Sequence, residues 1–65
     1  MKILVNEEEL EVAEPTTVSD LLARLGMPDK GIAVAVDWTV VPKSAWDTEL
    51  SDGARIEVVT AVQGG

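Results

Sequence analysis

Hydrophobic and polar residues alternate from the first position. Met1, Ile3 and Val5 fall on one side of an extended chain, Lys2, Leu4 and Asn6 on the other. A period of two marks a strand with one buried face. Asn6-Glu7-Glu8-Glu9 is polar and reads as a turn; Leu10 and Val12 then alternate with Glu9, Glu11 and Ala13. The first two runs therefore form a hairpin. After Glu14-Pro15-Thr16 the period changes: Val18, Leu21, Leu22 and Leu25 are spaced i, i+3, i+4 and i+7, one stripe of a helix. Thr17 is its N-cap, with Asp20 three residues on as in a capping box. Gly26 suits a left-handed C-cap and Pro28 forbids continuation.

The second half returns to a period of two. Gly31 to Val36 is a strand with Ile32, Val34 and Val36 on one side and the small Ala33 and Ala35 on the other. Asp37-Trp38-Thr39 turns it back into Val40-Val41-Pro42. Pro42 has no N–H, so this run is short or lies at an edge. A helical turn is expected at Ser44-Ala45-Trp46, with Trp46 plugging the core above Leu50 and Trp38 exposed in its turn. Ser51-Asp52-Gly53 turns the chain into a last strand, Arg55 to Val62, with Ile56 and Val58 inward. A covering helix after a hairpin returns the chain by a right-handed crossover, which lets the first and last strands lie parallel in the middle. The predicted fold is α+β, a ubiquitin-like β-grasp: a mixed sheet of four to five strands, one helix and a C-terminal tail. It fills residues 1–65 as one domain, with 61–65 as a flexible tail.

Composition narrows the function. A chain of 65 residues builds only a small core. It has no cysteine and no histidine, so disulfides, a thiolate nucleophile and the commonest general base and metal ligand are all missing. An autonomous enzyme and a metal site are not expected. A net charge of −7 repels nucleic acid and anionic lipid and draws a basic protein surface. No apolar run reaches membrane-spanning length and no signal-peptide pattern opens the chain, so the expected compartment is the cytoplasm.

The chain runs out of its last strand through Ala61-Val62-Gln63-Gly64-Gly65. Two glycines without Cβ atoms make a thin segment that passes a narrow channel, and no side chain crowds the carboxylate of Gly65. The four residues Val62, Gln63, Gly64 and Gly65 reach at most roughly 13 Å at about 3.3 Å each, enough to enter a partner's buried site. Val59 and Ala61, with Leu4, make the outer side of the sheet less polar and are the candidate partner surface.

Gly31-Ile32-Ala33-Val34-Ala35-Val36, Val41-Pro42-Lys43-Ser44 with Trp46, Leu50, Asp52-Gly53, Ile56-Glu57 and the Ala61-Val62-Gln63-Gly64-Gly65 ending closely resemble the sulfur carrier proteins of thiamine biosynthesis, the ThiS family. The resemblance spans the whole length. Its departures are Asp37-Trp38, where Asn-Gly is frequent, and Ala54, where Asp is frequent. It implies a protein co-substrate, not an enzyme, that binds no cofactor itself. An adenylating enzyme uses ATP and Mg²⁺ to activate the Gly65 carboxylate, a persulfide protein supplies sulfur, and the thiocarboxylate delivers it to thiazole synthase. Alone, the carrier is expected to be a monomer. Two alternatives share the tail: a molybdopterin synthase small-subunit type of carrier, and a ubiquitin-like modifier joined to lysines.

Overall fold

In a computed structural model, residues 1–28 and 30–60 are described. Five strands, β1 (Lys2–Val5), β2 (Glu8–Glu11), β3 (Ile32–Val36), β4 (Thr39–Val41) and β5 (Arg55–Thr60), form one sheet in the order β2-β1-β5-β3-β4. Among the described residues, one helix, α1 (Val18–Arg24), and a 3-10 turn (Lys43–Ala45) complete the elements. The pairing of β1 with β5 is parallel and all others are antiparallel. The first and last strands thus meet at the centre, as the pattern predicts.

Both hairpin loops contain two residues. Val5 pairs with Glu8 and Val36 with Thr39, leaving Asn6-Glu7 and Asp37-Trp38 as the loops. All four residues have positive φ: 48° and 72° in the first loop, 50° and 71° in the second. This mirror-image turn matches the right-handed twist of the strands it joins, whereas the ordinary turn would splay them. It corrects two sequence expectations. The turn is not Asn6 to Glu9, because Glu8 and Glu9 already pair with Val5 and Leu4. Nor does it include Thr39, which belongs to β4.

The central pairing is completed by side chains at both ends. In the middle, Leu4 N–H donates to Ala54 O (2.9 Å) and Asn6 N–H to Ile56 O (2.8 Å). Past the end of β1, the Asn6 amide imitates a backbone unit: its Oδ1 accepts from Val58 N–H at 2.8 Å and its Nδ2 donates to Val58 O at 3.3 Å. Before the start of β5, the Asp52 carboxylate accepts from Lys2 N–H at 2.8 Å, and Gly53 N–H donates to Lys2 O at 2.7 Å. The alternation along the strands then places Ile3, Val5, Val34, Ile56 and Val58 on one face, all buried.

The helix covers that face. Thr17 caps it as predicted: its hydroxyl accepts from Asp20 N–H at 3.1 Å, and the Asp20 carboxylate accepts from Thr17 N–H at 3.2 Å. Val18, Leu21 and Leu22 are buried. Leu25, the fourth member of the stripe, is the C-cap residue and is 37% exposed. Gly26, at φ 71°, turns the chain there, so that Gly26 N–H bonds Ala23 O and Met27 N–H bonds Leu22 O. Met27 packs on the core in place of Leu25. The helical turn after Pro42 comes one residue earlier than expected, at Lys43–Ala45. Trp46 is buried as predicted, and its indole N–H donates to Val41 O at 3.1 Å.

Replacing Leu22 by Ala removes a side chain with 3% exposure and is expected to cost about 2–5 kcal/mol in urea unfolding. Asn6→Ala strips both bonds from Val58 and leaves a β-carbon residue at positive φ without its compensation. Its expected cost is about 2 kcal/mol, read in the same assay, with Asn6→Gly less affected because only the bonds are lost.

Candidate functional site

The tail residues Ala61, Val62, Gln63, Gly64 and Gly65 lie outside the described residues. The structure describes their mount. β5 lies between β1 and β3, and its last residue, Thr60, pairs with Ile32 at the start of β3. The tail therefore follows the sheet's central strand, whose inward residues Ile56 and Val58 are 0% and 9% exposed.

The other face of the sheet is divided into two halves of different chemistry. Opposite the buried residues of β5 stand Arg55, Glu57 and Val59. Val59 pairs with Ala33, Glu57 with Ala35, and Ala35 in turn with Val40. Val59 is 57% exposed and Val40 71%, with the two alanines keeping the surface between them low. This strip starts beside Thr60 and crosses from β5 over β3 to β4. The β1–β2 side and the start of β5 are charged: Lys2 Nζ lies 3.9 Å from Glu9, and the Arg55 guanidinium lies 3.2 Å from Glu7 and 3.4 Å from Glu57. The exposed Lys2–Glu9 pair contributes about 0–1 kcal/mol, so its effect is on the surface potential more than on stability.

This division separates two members of the candidate partner surface, Leu4 and Val59. Val59 belongs to the apolar strip, and Ala61 is not among the described residues. Leu4 is half-buried and level with Arg55, four residues back along β5 from Val59. At about 3.3 Å per residue that separates them by roughly 13 Å, with the Arg55–Glu57 pair between. Leu4 and Val59 are not one patch. The residues missing from the sequence reading are Ala33, Ala35 and Val40. The alternation along β3 had put both alanines on the outer side, but only the register with β5 and β4 reveals their neighbours.

At the far end of the strip stands Trp38, 72% exposed, with its ring 4.6 Å from the Arg55 guanidinium carbon. The sequence reading placed it exposed in a turn. The structure adds how its loop is held: Asp37 N–H donates to Arg55 O at 2.8 Å, and Arg55 N–H donates to the Asp37 carboxylate at 3.0 Å. A left-handed conformation costs a residue with a β-carbon about 1–2 kcal/mol. An exposed cation–π contact returns about 0.5–1 kcal/mol. Trp38 is therefore no better for the fold than Asn or Gly would be.

Nothing in the described part resembles a catalytic centre. No group of three acidic, histidine or cysteine side chains among the described residues is placed to hold a metal ion. No helix among them is long and apolar enough to cross a membrane. What the described residues present is an apolar strip on the outer face of the sheet, beside the strand from which the tail continues.

A mixed sheet with its two terminal strands parallel at the centre and one covering helix is the ubiquitin-like β-grasp class. A crystal structure of a thiamine biosynthesis protein (ThiS) from Geobacter metallireducens superposes with a TM-score of 0.85 at 28% identity, covering 100% of both chains. A solution structure from the same organism gives 0.79 at 28% identity, covering 100% of this chain and 88% of that one. The model of the ThiS family matches residues 1–65, and the chain belongs to that family. The sulfur carrier protein ThiS of Escherichia coli (strain K12) is 32% identical over 66 aligned positions, covering 100% of both chains. A thiazole synthase from Paramagnetospirillum magneticum is 35% identical over 66 positions, covering 100% of this chain; the chain spans 20% of that protein's length.

Proposed function

We propose that this protein carries sulfur, as a C-terminal thiocarboxylate on Gly65, to the enzyme that builds the thiazole ring of thiamine. The observation that carries the reading is end-to-end similarity to a sulfur carrier, at 32% identity over the whole of both chains. The thiazole synthase that contains a segment matching this whole chain supports the acceptor, since it couples the two modules in one polypeptide.

The chemistry divides between carrier and partners. A carboxylate is a poor electrophile with a poor leaving group. An adenylating enzyme using ATP and Mg²⁺ joins the Gly65 carboxylate oxygen to the α-phosphorus of ATP, and pyrophosphate departs. The metal and cations that stabilise this charge belong to that enzyme. The terminal sulfur of a persulfide then attacks the acyl carbon, and AMP leaves with the carboxylate oxygen. A second thiol attacks the donor's sulfur in the acyl disulfide, forming a disulfide with the donor and releasing the thiocarboxylate on the carrier. Its sulfur is an ionised nucleophile, as thiolates are. None of these steps asks for a base on the carrier, in keeping with a chain that has no histidine and no cysteine. Gly64, Gln63 and Val62 thread the partner's channel, and Val59 with Ala61 sits at its mouth. Thread and mount have separate duties: the sheet stays outside while the tail reaches in.

The test is the intact mass after incubation with the adenylating enzyme, ATP, Mg²⁺ and a persulfide donor. A gain of one oxygen-to-sulfur exchange, mapped to the C-terminal peptide, is expected. No mass change, or an isopeptide bond from Gly65 to a lysine, overturns the reading. A chain lacking Gly65 is expected to keep the thermal midpoint of the full chain and to acquire no sulfur. A clear drop in midpoint would give the tail a structural role instead.

A further inference from the structure

We propose that Trp38 is the distal anchor of the interface with the tail-activating enzyme, its indole seated in an apolar pocket of that enzyme rimmed by Lys or Arg. Arg55 is the positioning residue that holds it. The proposal rests on the carrier reading above and adds the residue that sets how the partner grips the sheet.

Three observations converge on Trp38. First, it is exposed to 72% in a hairpin loop where both residues have positive φ, a place that favours Asn or Gly. A bulky side chain kept in a sparsely populated backbone region without burial points to function. Second, it is held in place. Asp37 exchanges two hydrogen bonds with the Arg55 backbone, and the Arg55 side chain lies against the ring while bonded to Glu7 and Glu57. An indole fixed before contact loses little freedom on binding, and tryptophan heads the residues that dominate interfaces. Third, it ends the apolar strip that begins at the tail. Val59, Ala33, Ala35 and Val40 lead from beside Thr60 to the Asp37-Trp38 loop.

The strip limits the partner to a protein that also takes the tail. β5 spans five residue steps from Arg55 to Thr60, roughly 17 Å at about 3.3 Å each. A protein that takes the tail approaches the Thr60 end, and one that lies along the strip meets Trp38 at the other. Two contacts this far apart fix the carrier's orientation, where the tail alone would leave it free to swivel. The rim follows from charge: Asp37, Glu7 and Glu57 surround the Arg55–Trp38 stack, on a chain of net charge −7. Basic groups around the partner's pocket would meet them favourably.

The experiment is ATP–pyrophosphate exchange by the adenylating enzyme, measured against carrier concentration. For Trp38→Gly and Trp38→Asn, KM for the carrier is expected to rise roughly 10- to 30-fold with kcat held within about two-fold. The thermal midpoints should equal or exceed that of the unaltered chain, since both residues suit positive φ. Trp38→Phe should recover most of the KM, and Arg55→Lys should raise it while increasing iodide quenching of Trp38 fluorescence. Exchange intact with unchanged KM in both Trp38 variants overturns the anchor and leaves the carrier reading standing. A defect confined to sulfur transfer to thiazole synthase overturns the choice of partner. No exchange with the unaltered carrier removes the reading on which the anchor rests.

Discussion

The structure depends on the parallel contact between β1 and β5. It joins residues about fifty positions apart in the chain, and it is completed at both ends by side chains standing in for backbone: Asp52 on Lys2, and Asn6 on Val58. Parallel strands cannot be linked by a tight turn, so the whole intervening chain must cross over. The hairpin, the helix and the β3–β4 pair are what fills that crossing. Because β1 and β5 are both interior strands, the edges are left to β2, rich in glutamate, and to the three-residue β4, which ends before Pro42. Short or charged edges resist pairing with other chains.

The same contact prepares the function. A tail attached to an edge strand or a loop would move with its mount. Here it follows a strand paired on both sides and packed on the core through Ile56 and Val58. The core that supports this is small, so few of its members can be spared. Trp46, Ala54 and Val12 close its margins, and the segment from Trp46 to Leu50 is bonded to the start of the helix through Ser19 and Thr16.

Stability and recognition pull in different directions at the hairpin loops. Both require positive φ, and the first is filled by Asn6, whose side chain repays the strain with two bonds. The second is filled by Trp38, whose contact with Arg55 offsets only part of it. The outer face shows the same tension. Val40 and Val59 are apolar residues left in water, a cost to solubility that the chain's net charge of −7 offsets.

Much of this was legible in the chain itself. Periods of two and of 3.6 assigned the inward faces of the strands and the helix, because a side chain's direction follows from its position in a regular element. Thr17, Asp20, Gly26 and Pro42 marked boundaries through chemistry local to each. The glycines of the tail, the missing histidine and cysteine, and the resemblance to a sulfur-carrier family needed no coordinates. What the sequence could not show was anything that depends on register between distant strands. Asn6 and Asp52 read as ordinary turn residues until β5 is laid beside β1. Leu4 and Val59 look alike until Arg55 and Glu57 are found between them. Ala33, Ala35 and Val40 become one strip, ending at Trp38, only when three strands are paired. Those relations were decided by the tertiary structure, because local pattern determines which way a side chain points but not what stands next to it.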